Sequence, residues 1–290
     1  MSVTHSTKTK KGNTRVTGKE QFYTPPATAL DVMANVLAIV PDLKERTVLE
    51  PAGGSGSFLE AARNFGVTNF VSFDIEPLHP LVQRADFLGQ TLSFRDAVTV
   101  SNPPFGRNNA LSIPFFNHAA TASEFVVFIV PRSWRKWSVQ NKLDRRFHLV
   151  RDDDLCIDYV DAHGELVTDK NNLRTCVQYW KRQSSLRDLT FVQDRGLIER
   201  CSVAEADVSL TIFGFGCGTL KTEFPRQPNT TQMFLKLKDP RALEALRSVD
   251  FSRFFLHTAY TEALSIKEIN YLLNEHIFGD PYVLTEKPTK

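Results

Sequence analysis

The chain has 290 residues, enough for one large domain or one domain with a small appendage. Hydrophobic residues make up 42% of it, which suffices for a core, while 35 basic and 33 acidic residues leave a formal charge of +2, so any basic surface is local and overall charge is no argument for nucleic acid. No apolar stretch approaches the roughly 18 residues of a membrane span, the N-terminus has no signal-peptide core, and Cys156, Cys176, Cys201 and Cys217 form no Cys-x-x-Cys pair. A soluble, cytoplasmic or otherwise intracellular protein with reduced, buried cysteines and no metal site is expected.

Along the chain, 1–19 carries Lys8, Lys10, Lys11, Arg15 and Lys19 without apolar periodicity. This predicts a disordered basic tail, read equally as an interaction arm or a solubilising terminus. A helix is expected over 27–40, where Leu30, Met33, Val36, Leu37 and Val40 recur at helical spacing and Pro41 stops it. A short strand at 47–49 precedes a helix at 57–65 with Phe58, Leu59 and Ala62 inward. Strands follow at 69–75, within 81–87 and at 97–101, then a helix at 110–122 and a buried strand at 125–130. A later strand at 174–181 is expected to pair with 156–160. Alternating strand and helix predict a mostly parallel α/β sheet covered on both faces, over 20–183. From 184 to 290 the alternation stops: a strand at 207–215 ending in Gly214, Gly216 and Gly218, another at 233–237, and helices at 240–249 and 265–273 suggest a small α+β appendage.

Two motifs carry chemistry. The first is the turn Glu50-Pro51-Ala52-Gly53-Gly54-Ser55-Gly56 after the first strand. In an open parallel sheet ligands bind beyond the carboxyl ends of the strands, and glycines there let a ligand approach the backbone; a plain tight turn is the competing reading. Asp74, about twenty residues on at the end of the next strand, is placed to accept from ribose hydroxyls, or is a solvated strand-end carboxylate. Asp86 offers an acceptor for an adenine amine and Phe87 a ring to lie against it. No phosphate-loop Lys or Ser/Thr follows the glycines and Gly-x-Gly-x-x-Gly is missing, which disfavours nucleoside triphosphates and dinucleotides. A nucleoside cofactor without a pyrophosphate fits better, and S-adenosylmethionine is the common one.

The second motif is the shelf Ser101-Asn102-Pro103-Pro104-Phe105-Gly106. An amide, two prolines and an aromatic at a strand mouth can accept hydrogens from a planar amine and stack on its ring. The turn 49–56 and Asn102-Pro103-Pro104-Phe105 together resemble the cofactor and catalytic motifs of class I amino-methyltransferases, among them the adenine-N6 DNA methyltransferases. Gln21-Phe22-Tyr23-Thr24-Pro25-Pro26 resembles that family's additional cofactor motif, and the likeness covers about 20–182. The resemblance implies a Rossmann-like, doubly wound, seven-stranded sheet. It implies S-adenosylmethionine held by Tyr23, Thr24, Glu50, Gly53, Gly56, Asp74, Asp86 and Phe87. It implies methyl transfer to the N6 amine of adenine in DNA, carried by Asn102, Pro103 and Phe105, with target recognition within 184–290. Where the family often has Asp, this chain has Asn102, which keeps the acceptor oxygen.

A base inside a duplex cannot reach such a shelf, so the target must be single-stranded or flipped out. Pro131-Arg132-Ser133-Trp134-Arg135-Lys136-Trp137, followed by Lys142, Arg145 and Arg146, interleaves cations with tryptophan. With Arg107 beside the shelf, this stretch suits phosphate contact and base stacking, or is a solvated basic helix with half-buried tryptophans. His118, His148 and His163 have no metal-ligand spacing. The rival functions are the same chemistry on RNA adenine or on a protein glutamine, and a non-catalytic nucleic-acid-binding relative.

Overall fold

The structure is a computed structural model that describes residues 23–161, 164–167 and 173–286. The expected basic tail, Gln21, Phe22 and His163 lie outside the described residues.

Stretches such as Val126-Val127-Phe128-Ile129-Val130 are buried on both faces, as a sheet covered on both sides requires. Seven strands form that sheet: β1 (Val48–Glu50), β2 (Phe70–Asp74), β3 (Gln83–Arg84), β4 (Ala97–Ser101), β5 (Ser123–Pro131), β6 (Phe147–Leu155) and β7 (Thr175–Arg182). Their order is β3-β2-β1-β4-β5-β7-β6. The first five run parallel, and β7 is antiparallel to both β5 and β6. The chain reverses its direction of travel across the sheet between β1 and β4, so a crevice opens beyond their carboxyl ends. The glycine turn and the shelf leave the sheet there.

Alternate side chains feed two cores. Val48, Val98, Val127 and Ile129 pack with α1 (Pro26–Ile39) and α2 (Ser57–Asn64) on one face. Leu49, Val126, Phe128 and Trp180 pack on the other with α3 (Ser112–Ala119) and with Trp134, just before the short α4 (Trp137–Gln140). The helix expected over 110–122 spans only Ser112–Ala119, and it follows a separate 3-10 turn at Arg107–Asn109 in which Asn108 and Asn109 take positive φ of 55° and 63°. The pairing expected for 156–160 is corrected. β7 pairs with Phe147–Leu155, and Val160 instead makes isolated bridges to Tyr23 and Leu166. The cysteine expectation is also corrected: all four are free, but only Cys176 is buried, and Cys156 is exposed.

Beyond β7 a second sheet takes over. β8 (Phe191–Val192) pairs with β13 (Val283–Leu284). β9 (Ile198–Arg200), β10 (Val208–Thr211), β11 (Leu220–Lys221) and β12 (Gln232–Leu237) form an antiparallel sheet in the order β11-β10-β12-β9. The strand expected to reach Phe215 ends at Thr211, because positive-φ glycines at 214, 216 and 218 turn the chain. Helices α5 (Ala242–Ser248), α6 (Ser252–Phe255) and α7 (Ile266–Phe278) follow; α5 and α7 close a separate core around Leu210, Leu235, Leu246 and Leu273. Ser265 and Glu268 form a capping box at the start of α7, satisfying two backbone donors reciprocally. Among the described residues no helix is long and apolar enough to cross a membrane, and no group of His, Cys, Asp and Glu could hold a metal ion.

Candidate active site

β1 delivers Glu50 to the crevice and the chain then turns at once. The turn is built tightly: Gly53 N–H donates to Phe73 O at 2.8 Å and Gly56 N–H to Gly53 O at 2.7 Å. A Cβ on Gly53 would lie 2.2 Å from Ser72 Oγ, so only glycine fits between the first two strands. Gly56 takes φ 79° at the start of α2, and a Cβ there would press on His79, which pairs with Glu60 at 3.1 Å. Asp74, at the end of β2, accepts Gly54 N–H and Glu76 N–H, each at 2.8 Å. Its carboxylate therefore staples the turn while keeping lone pairs for a further donor.

A small pocket lies over this turn, and Tyr23, Thr24, Glu50, Gly53, Gly54 and Asn102 are in its wall. Two of the expected clusters thus converge although the sequence separates them widely. Glu50 is 3% exposed, with Ser72 Oγ donating to it at 3.3 Å. Burial pushes its carboxyl well above the usual range, against the Ser72 bond, and the nearby Asp74 charge adds to the rise. A buried acid in a cavity wall fits a cationic ligand group, which would restore its charge.

The remaining cofactor candidates sit outside this cavity wall. Asp86 is exposed and caps the 3-10 turn Phe87–Gly89, accepting Leu88 N–H at 3.1 Å. Phe87 is corrected. Its ring is buried and packs on Phe73, Phe115 and His118, so it offers no face to a ligand.

The shelf follows β4. Pro103 is buried, Phe105 is 9% exposed, and Phe105 O accepts Leu111 N–H at 3.2 Å and Ser112 N–H at 3.4 Å, tying the shelf to α3. Asn102 has its amide oxygen closed off from solvent, and its side chain lies beside the buried hydroxyl of Tyr159. Tyr159 is fully buried; burial above all, with Tyr260 adding to it, raises its phenol far beyond its ordinary value, so it stays neutral. Sequence reasoning missed Tyr159, which lies in an irregular segment without periodicity. The same segment braces the other side of the cavity, since Tyr23 and Val160 exchange backbone hydrogen bonds of 3.0 and 3.2 Å.

The basic stretch is largely consumed by the fold. Trp134 is corrected as a stacking residue: it is 0% exposed, and its indole N–H donates to Ser112 Oγ at 3.2 Å. Arg132 pairs with Asp154 at 2.8 Å, and Arg135 pairs with Asp152 and Asp154. Lys136 donates to Glu268 at 3.0 Å. Trp137 packs against Phe254 and Tyr271 of the C-terminal region. Arg107 is exposed beside the shelf and makes no ion pair among the described residues.

No family model matches the chain. Over 95 residues it is 28% identical to the type II methyltransferases M.HincII and M.HindII, both of Haemophilus influenzae. Each match covers 32% of this chain and 18% of the relative, so the likeness spans less than a fifth of those proteins. Among solved structures, a candidate RNA methyltransferase from Pyrococcus horikoshii aligns with 60% of this chain and 93% of its own, at 16% identity and a TM-score of 0.46. The modification subunit of a candidate type I restriction enzyme from Vibrio vulnificus aligns with 60% of this chain and 47% of its own, at 16% identity and a TM-score of 0.41. Over those 95 residues the chain is thus similar in sequence to type II methyltransferases.

Proposed function

We propose that this chain transfers a methyl group from S-adenosylmethionine to the exocyclic N6 amine of adenine in DNA. The observation that carries the reading is the convergence of Asn102 with Tyr23, Thr24, Glu50 and the glycine turn on one cavity at the switch point of the sheet. When bound, the cofactor supplies an electrophilic methyl on a sulfonium. The donor set suits it: Glu50 would take the amino-acid ammonium, and Asp74, already holding the turn, would accept from the ribose hydroxyls. Asp86 is the remaining acceptor for the adenine amine.

The chain's own task is to make a poor nucleophile attack. The adenine amine has its lone pair spread into the ring. The Asn102 side-chain oxygen and the Pro103 carbonyl would each accept one amine hydrogen, letting the nitrogen rehybridise toward the methyl. Positive charge then develops on that nitrogen, and fixed carbonyl dipoles stabilise it without reorganising. Phe105 supplies a flat apolar face, and holding the reactants in line provides most of the remaining acceleration. Ion pairing of Arg132, Arg135 and Lys136 leaves Arg107 as the candidate phosphate contact nearest the shelf.

Transfer of tritiated methyl from S-adenosylmethionine to DNA, RNA and protein tests the reading. Label in DNA that survives protease and is lost with nuclease supports it; label in RNA or protein moves the target class. Replacing Asn102 by Ala is expected to lower turnover about 100-fold or more, the scale for losing one preorganised polar group, with cofactor affinity nearly unchanged. Normal turnover in that variant removes the shelf from the mechanism.

A further inference from the structure

The turn joining β10 to β11 holds Phe215 entirely in solvent, at 103% relative exposure. The turn that does this is closely hydrogen-bonded. Cys217 N–H donates to Gly214 O at 3.0 Å, Thr219 N–H to Gly216 O at 3.0 Å, and Gly218 N–H to Thr211 O at 2.8 Å. Its base is pinned to the loop before α7, where Gly214 N–H donates to Glu262 O at 3.0 Å and Phe213 bridges Ala263. A pinned turn that displays an aromatic ring forgoes burial it could have had, since its own core around Leu210 and Phe251 is close by.

Its position joins it to the site. Glu262 pairs with Arg174, and both line a groove of about 560 Å³ with Arg132, Leu155, Cys156 and Tyr260. Arg132 follows the last residue of β5, and Arg174 precedes the first of β7, whose amino end meets the carboxyl end of β5. The groove therefore lies on the same sheet edge as the shelf. Tyr260 also neighbours Tyr159, which touches Asn102. Glu262, in the groove wall, accepts the Gly214 N–H with its backbone oxygen, which ties the Phe215 turn to that groove.

We propose that Phe215 is a wedge that enters the base stack of a double-stranded nucleic acid while the neighbouring target adenine is turned out toward Asn102. This rests on the methyl-transfer reading above. A target base in a duplex must leave its stack, and unstacking is eased by an apolar side chain that takes over the contacts of the departing base. A ring standing clear of the surface presents both faces, which suits insertion between two bases. The glycine-framed turn fixes its direction, and the groove behind it is held open by the ion pairs Arg174–Glu262 and Arg132–Asp154.

The test compares wild type, Phe215→Ala and Phe215→Trp on one oligonucleotide sequence, with the target adenine either paired in a duplex or left unpaired in a single strand. Wild type, Phe215→Ala and Phe215→Trp are expected to melt alike. Phe215→Ala should lower kcat/KM on paired adenine by roughly 5- to 150-fold, the range for losing one aromatic stack, and on unpaired adenine less than twofold. Phe215→Trp should restore the duplex rate. A 2-aminopurine at the target position should brighten with wild type and not with Phe215→Ala. Equal losses on both substrates, or none on either, overturn the wedge and leave the methyl-transfer reading standing. Altered sedimentation of Phe215→Ala alone, with both adenines methylated at the wild-type rate, overturns it in favour of a contact between copies of this chain. A wild type that methylates no nucleic acid overturns the wedge together with the functional reading.

Discussion

Residues 131–137 and 213–218 both place aromatic rings near the carboxyl edge of the main sheet, and the fold treats them in opposite ways. Trp134 is wholly buried with its indole N–H bonded to Ser112, and its cationic neighbours are paired with Asp152, Asp154 and Glu268. Phe215, in a turn rich in glycine, meets solvent on every side. The first stretch looks like an interface in sequence because it is basic and aromatic, yet its groups are spent bracing the shelf and joining the two sheets. What distinguishes an available group from a structural one is whether the fold has already given it a partner. The same contrast separates two carboxyls of the site: Asp74 holds two backbone N–H groups, whereas burial outweighs the hydrogen bonds to Glu50 and keeps it biased toward its neutral form.

The largest test of this contrast is Trp134→Ala. Removing a fully buried indole should cost about 3–5 kcal/mol in denaturant unfolding, against at most ~0.5 kcal/mol for Phe215→Ala at the surface. Comparable losses for the two would erase the distinction.

Glu50→Gln sharpens the carboxyl pair. A carboxyl with a raised folded-state pKa contributes stability that is fully present below its unfolded value of 4.5 and is lost as pH rises through the higher folded value. The variant should therefore melt higher than wild type at pH 8, by roughly 2 °C or more, and equally with it at pH 4. Calorimetry should show S-adenosylmethionine binding weakened in the variant at pH 8, because the ammonium loses its counter-charge. Unchanged affinity there removes Glu50 from the site.

The smallest expected effect is at Tyr159, a positioning residue for Asn102. Tyr159→Phe keeps the ring and deletes the buried hydroxyl beside Asn102, so turnover should fall about 2- to 10-fold with KM for both substrates unchanged. A KM effect without a turnover effect would reassign Tyr159 to packing.

Much of the main sheet is legible in the residues themselves. Continuous apolar stretches such as 125–130 can only be strands buried on both faces, and the strand at 97–101 falls where its pattern says. The glycine turn and the Asn-Pro-Pro-Phe shelf are equally visible, because each needs residue types that few other positions tolerate. Short strands such as β9 and β11 escape, since two or three residues set no period. The pairing of β7 escapes as well: β6 carries Arg151, Asp152, Asp153 and Asp154 in a row, and that charge conceals a strand at the sheet's edge.

Local order along the chain therefore determined which segments become strands and helices and which two motifs stand out as candidates for chemistry, since periodicity and backbone restriction act over a few residues. Only the tertiary structure decided which groups remain available. Burial of Trp134 and Phe87, the ion pairs of Arg135 and Lys136, the meeting of Tyr159 with Asn102 and the exposure of Phe215 all depend on residues distant in sequence. Desolvation and pairing are set by those long-range neighbours, which no local window contains.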